Sequence, residues 1–171
     1  MPVQAALGTR YRVEGTIASG GMSTVVRAVD LKHDRIVAVK VLDDSVVGHD
    51  GVDRFLREIQ LIARLQHPHI VPLFDSGAAD GLVFYTMPFI EGETLRDRLR
   101  RDGRLPLDEA LTFARELCDA LSYAHDRLIL HRDVKPENVL LANGHALLAD
   151  FGIARALHVA TLSQHTVTGI V

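Results

Sequence analysis

The chain has 171 residues, 47% hydrophobic and 24% charged, enough to bury the core of one domain or of two small lobes. Its net charge of −3 gives no electrostatic footing for nucleic acid or an anionic membrane, and a single cysteine, Cys118, excludes an internal disulfide. No apolar run approaches the ~20 residues of a membrane span, and the opening Met1-Pro2-Val3-Gln4 lacks the basic-then-apolar order of a signal peptide.

Residues 1–9 read as a loose lead-in. Residues 10–17 and 24–30 are expected as two strands around the small-residue turn Ala18-Ser19-Gly20-Gly21-Met22-Ser23. A β-branched run, 36–42, gives a third strand. Phe55, Ile59, Ile62 and Leu65 recur at helical spacing and predict a helix over 52–65, ended by His67-Pro68. Strands near 70–76 and 82–87 follow, joined by Ala79-Asp80-Gly81, and 89–92 reads as a connector. Thr94 is placed to cap a short helix reaching about Arg101. Pro106, Asp108 and Glu109 mark the start of a long helix over 107–125. Its apolar side is expected at Ala110, Ala114, Leu117, Leu121 and Ala124, with Cys118 buried in the same pattern. Two short strands, 139–141 and 146–148, flank the hairpin dipeptide Asn143-Gly144. The order predicts an α+β fold.

Chemistry concentrates in His131-Arg132-Asp133-Val134-Lys135-Pro136-Glu137-Asn138, followed by Asp150-Phe151-Gly152. A proton acceptor (Asp133), a cation (Lys135), an amide oxygen (Asn138) and a second carboxylate (Asp150) stand at fixed spacings. Phosphoryl transfer from a metal nucleotide needs those four roles, because its catalysis is mostly positioning and electrostatic stabilisation. Asn138 and Asp150 are hard oxygen donors of the kind Mg²⁺ takes. The nine histidines form no metal-ligand pattern. A P-loop hydrolase is excluded, since no Gly-x-x-x-x-Gly-Lys-Ser/Thr occurs.

On these motifs the chain resembles the protein kinases, and Lys135 matches their serine/threonine branch, in a form similar to bacterial members. The resemblance implies a two-lobe kinase-like fold with a complete N-lobe (10–88), a hinge (89–92) and an incomplete helical C-lobe (93–171), the chain ending within the activation loop. It implies ATP and Mg²⁺ as cofactors. Ile17, Ala18, Ser19, Gly20, Gly21, Met22, Ser23, Thr24 and Val25 match the nucleotide loop, with Ala18 and Ser23 where the family usually has glycine. Lys40, on its strand, would reach the phosphates and pair with Glu58. Met87, Pro88 and Ile90 match the adenine-binding hinge side, and Val25, Ala38 and Leu140 the residues that sandwich the base. Ile62, Leu73, His131 and Phe151 match the family's stacked apolar column. Thr166 and Thr168 match phosphorylation sites that Arg132 would pair with.

Implied partners are proteins with serine or threonine acceptors and a second copy for trans-autophosphorylation, with no nucleic acid and no membrane segment in this chain. The expected compartment is the cytoplasm, with membrane anchoring of a longer parent left open. A different expectation stands beside the enzyme: a truncated, catalytically inactive nucleotide-binding fragment or interaction module.

Overall fold

The structure, a computed structural model, describes residues 2–20, 23–43 and 51–151. The chain divides into two compact units, one taking Met1–Ala63 and Leu73–Phe89, the other Arg64–Pro72 and Ile90–Gly152.

The first unit is built on a five-stranded antiparallel sheet in the order β1-β2-β3-β5-β4. Its strands are β1 (Tyr11–Ser19), β2 (Ser23–Asp30), β3 (Arg35–Asp43), β4 (Asp75–Ala79) and β5 (Leu82–Pro88). Alternation sets its faces: Val26 and Ala28 on β2 and Val37, Val39 and Val41 on β3 are buried together with Leu7 and Tyr11. Each such valine stabilises the fold by roughly 1.5–3 kcal/mol. The sheet's polar corner is Asp30, buried at the end of β2, which accepts from Lys32 N at 3.2 Å and pairs with His33 Nδ1 at 2.8 Å. Helix α2 (Gly51–Ile62) turns Phe55, Ile59 and Ile62 inward. It stops three residues short of the predicted end, although Leu65 is still buried.

The opening residues are not a loose lead-in. They form α1 (Pro2–Ala6), and Ala6 and Leu7 are buried. Gln4 grips the neighbouring strand: its Oε1 accepts the Val13 N–H at 2.9 Å and its Nε2 donates to the Tyr11 carbonyl at 3.0 Å. Because β1 is an edge strand, Gln4 satisfies backbone groups that no other strand among the described residues reaches.

The second unit contains β6 (Glu93–Thr94), α3 (Leu95–Asp102), α4 (Leu107–His125), a 3-10 turn at Pro136–Asn138, β7 (Val139–Ala142) and β8 (His145–Leu148). The three short strands make one antiparallel sheet, β6-β7-β8. Gly92 precedes β6 because a Cβ there would overlap the Leu141 carbonyl oxygen. Thr94 caps α3 by accepting the Asp97 N–H at 3.1 Å. The β7–β8 hairpin turns on Asn143 and Gly144, both at positive φ, as that dipeptide predicts.

Three expectations need correction. The strand predicted near 70–76 begins only at Asp75. Residues 70 and 71 instead line β8, through an Ile70–Leu148 bridge and a Val71 N to Leu148 O bond of 3.0 Å. Of the side predicted for α4, Ala124 is buried and Ala110, Leu117 and Leu121 are half-buried, but Ala114 is exposed, and Phe113 and Ala120 are the other buried residues. Cys118 is exposed, like Ala114. The large Phe113 ring, rather than the number of alanines, sets which face turns in. No helix among the described residues is long and apolar enough to cross a membrane.

Candidate functional site

In the second unit, the segment from His131 to Asn138 is held by side chains that bond its own backbone. His131 is buried; its Nε2 donates to the Ala149 carbonyl at 2.8 Å while its Nδ1 accepts the Asp133 N–H at 3.2 Å. Both bonds together require the neutral imidazole. Burial pushes the His131 pKa below the ordinary histidine value, against the pull of the Ala149 carbonyl and the Asp150 and Asp133 carboxylates. Its ring lies 4.6 Å from that of Phe151, centroid to centroid.

Asp133 is clasped from two sides. Lys135 Nζ lies 2.7 Å from its Oδ2, and Asn138 Nδ2 donates to the same oxygen at 3.0 Å and to the Asp133 carbonyl at 2.8 Å. Partial burial opposes the Asp133 charge, but Lys135 and Asn138 outweigh it and hold the carboxyl below the usual range. The hydrogen bond to Asp133 raises Lys135 in turn. At neutral pH the pair is a carboxylate beside an ammonium.

With its amide hydrogens on Asp133, Asn138 keeps Oδ1 as its acceptor atom. The Asn138 carbonyl accepts the Ala149 N–H at 2.9 Å, which ties this turn to the residue before Asp150. Arg132 and Asp150 both adopt left-handed backbone, with φ of 65° and 64°. Such torsions cost non-glycine residues of order 1–3 kcal/mol and cluster where function over-determines the chain.

Two hard oxygen donors, Asn138 Oδ1 and the Asp150 carboxylate, suit Mg²⁺, which typically takes one or two protein oxygens and completes its octahedron with phosphate and water. Among the described residues, no group of three or more His, Cys, Asp or Glu could hold a metal ion.

In the first unit, β1 and β2 carry the glycine-containing loop. Ala18 pairs with Val25 beside a register shift, Ser19 pairs with Thr24, and the Gly20 N–H donates to Ser23 O at 2.9 Å. Ile17 is exposed on β1, whereas Gly21 and Met22 lie outside the described residues. Ala38 and Met87 are buried partners across β3 and β5, and Lys40 stands between Val25 and Tyr85 in the same ladder. Pro88 ends β5 opposite Val37. Glu58 lies in α2, where its Oε1 accepts from Arg54 Nε at 3.2 Å. Ile62 is buried and Leu73 half-buried. Ile90 and Leu140, in the second unit, are half-buried. Gly152, Thr166 and Thr168 lie outside the described residues.

Sequence reasoning passed over residues that support this frame. Arg96 Nε reaches Glu137 Oε1 at 2.8 Å and so ties α3 to the 3-10 turn. Glu116 accepts the Ala146 N–H at 2.8 Å and pairs with His145 Nδ1 at 2.6 Å. The available signal was Glu116's place, a carboxylate on the inward side of α4 between Phe113 and Ala120.

A family model described as the protein kinase domain matches residues 11–169. The chain is 40% identical over 173 residues to the serine/threonine-protein kinase PknL of Mycobacterium tuberculosis, covering 99% of this chain and 43% of that protein. It is 37% identical to the serine/threonine-protein kinase PrkC of Bacillus subtilis, covering 96% of this chain and 26% of that protein. Among solved structures, a variant of the Mycobacterium tuberculosis PknI kinase domain superposes with a TM-score of 0.78 at 34% identity, over 85% of this chain and 60% of that one. The chain thus spans less than half the length of the curated relatives named here.

Proposed function

The chain belongs to the protein kinase domain family, and from that premise we propose that the protein transfers the γ-phosphoryl group of ATP to serine or threonine hydroxyls of other proteins. One observation carries the reading: Asp133 is clasped between Lys135 Nζ and Asn138 Nδ2, while Asn138 is tied through its carbonyl to the residue before Asp150.

Asp133, held ionised, accepts a hydrogen bond from the attacking hydroxyl and so aligns it. A carboxylate of depressed pKa is a weak base, so it takes the proton late, when the attacking oxygen has become acidic. Lys135 neutralises charge growing on the transferred group. Asn138 and Asp150 would hold Mg²⁺, which when bound offsets the negative charge of the phosphate oxygens. Lys40, oriented by Glu58, contacts the non-transferred phosphates. The loop between β1 and β2 would contribute backbone N–H groups to them, and Val25, Ala38, Met87 and Pro88 of the same unit receive the adenine. Trans-phosphorylation between two copies at Thr166 or Thr168, read by Arg132, belongs to the same proposal, as does a cytoplasmic setting where ATP is available.

The test is phosphate transfer from ATP to a generic serine/threonine protein by the purified protein. Asp133→Asn is expected to lower the rate by about 10²–10⁴-fold, and Lys40→Met to weaken Mg·ATP binding. Transfer that survives Asp133→Asn overturns the assignment of Asp133. Nucleotide binding without transfer in the unmutated protein favours an interaction module instead.

A further inference from the structure

Strand β8 is the edge of its sheet, so among the described residues the outward backbone groups of Ala146 and Leu148 have no named strand to pair with. Each of the four is nevertheless satisfied. The Ala146 N–H donates to Glu116 Oε2 at 2.8 Å, and the Ala146 carbonyl lies 3.0 Å from His69 Nδ1. The Leu148 N–H donates to the His69 carbonyl at 2.9 Å, and the Leu148 carbonyl accepts from Val71 N at 3.0 Å. The next residue, Ala149, is held on both sides by Asn138 O and His131 Nε2, and Asp150 follows.

Two of these partners are side chains. The Glu116 side chain is 11% exposed and the His69 side chain 19% exposed. A carboxylate facing inward on a helix is a costly choice where any apolar residue would pack. Burial works against its charge, yet the Ala146 N–H, the His145 imidazole and the nearby His69 keep the Glu116 carboxyl below its ordinary value. An ionised acceptor makes a stronger bond to a backbone N–H than a neutral one does. Four-residue strands such as β7 and β8 are weakly held by their own ladder. A slip of one residue in β8 would turn its side chains to the opposite face and re-aim everything downstream.

We propose that Glu116 and His69 are positioning residues for the cation site: by gripping the two outward groups of Ala146 they fix the register of β8, and with it the direction in which Asp150 presents its carboxylate. This rests on the reading of Asp150 as a Mg²⁺ ligand. Neither residue touches nucleotide or metal; both act through four residues of backbone.

The experiment is calorimetric titration with ADP, once in EDTA and once across a Mg²⁺ series, on the unmutated protein, Asp150→Asn, Glu116→Ala, Glu116→Gln and His69→Ala. Glu116→Ala is expected to raise the Mg²⁺ concentration needed for half-maximal tightening by about tenfold, as loss of a ligand-orienting partner commonly does. Its affinity for ADP in EDTA stays as in the unmutated protein. Glu116→Gln, which keeps an oxygen for the Ala146 N–H, restores most of the Mg²⁺ response, and His69→Ala shifts it in the same direction as Glu116→Ala. Hydrogen exchange at the Ala146 amide accelerates in Glu116→Ala. If Glu116→Ala and His69→Ala lower thermal stability but keep the unmutated Mg²⁺ response, the two residues are structural only and the proposal falls. If Glu116→Ala does not fold, His69→Ala alone decides. If the unmutated protein and Asp150→Asn respond alike to Mg²⁺, the assignment of Asp150 fails first and this inference falls with it.

Discussion

The two units keep their shape by different means. In the first, long strands of seven to nine residues (β1, β2, β3, β5) interlock, and alternate valines on β2 and β3 bury one continuous face. In the second, the strands run to two and four residues, and the segments around Asp133 and Ala146 are held by directional bonds from His131, Asn138, Glu116 and His69 to backbone groups. Area-based stability is tolerant: exchange among apolar residues of similar volume usually costs less than about 1.5 kcal/mol. Directional bonds have no such latitude, because a buried N–H or C=O left without its partner loses the full hydrogen bond. The core of the first unit can therefore accept apolar exchanges more freely than the bonded segment around Asp133 can accept loss of a partner.

The sharpest way to test this contrast is to break one bond donor and one core ring. Asn138→Ala removes a proposed cation ligand and the amide that clasps Asp133. Phosphate transfer should fall by about 10²–10³-fold, and urea denaturation should register about 1–3 kcal/mol for the Asp133 groups left without their partner. Phe55→Ala, at a fully buried ring in the first unit, should do the reverse. It should cost about 3–5 kcal/mol in urea denaturation, and whatever fraction stays folded should transfer phosphate at the unmutated rate. Comparable losses of activity in the two variants would erase the distinction.

A gentler probe is pH. His131 is depressed by burial, and His67 is depressed by burial and by the nearby charge of His69. A depressed group contributes stability that is present above its unfolded pKa of about 6.5. That stability is lost as pH falls through the lower folded value, because the unfolded chain binds the proton first. Stability measured in urea should accordingly decline below about pH 6.5, and His131→Phe should flatten that slope. An unchanged slope would show that the His131 imidazole is not held neutral.

Much of the candidate site's geometry was legible because its contacts are local. The spacing of Asp133, Lys135 and Asn138 is set by one tight turn, and their contacts in the structure lie within that turn. Hairpins were legible too, since Asn143-Gly144 and Asp80-Gly81 both supply the positive φ that such turns demand. What escaped was long-range. Residues 70 and 71 look like a strand by composition, but they are drawn to the open edge of β8, a partner more than seventy residues away. Apolar spacing along α4 was satisfied by two neighbouring faces, and only the Phe113 ring decides between them. Gln4 carries no pattern at all; its meaning comes from the unpaired edge of β1.

The left-handed torsions at Arg132 and Asp150 bear on how this protein would respond to directed evolution. Glycine occupies that region of backbone space without penalty, and asparagine enters it more readily than most residues. A library sorted only for heat resistance should therefore accumulate glycine or asparagine at both positions. It would gain stability at the two places where the proposed cation ligand and the proposed phosphate-reading guanidinium are displayed. Enrichment there would mark out, without any assay of catalysis, where folding and chemistry want different residues.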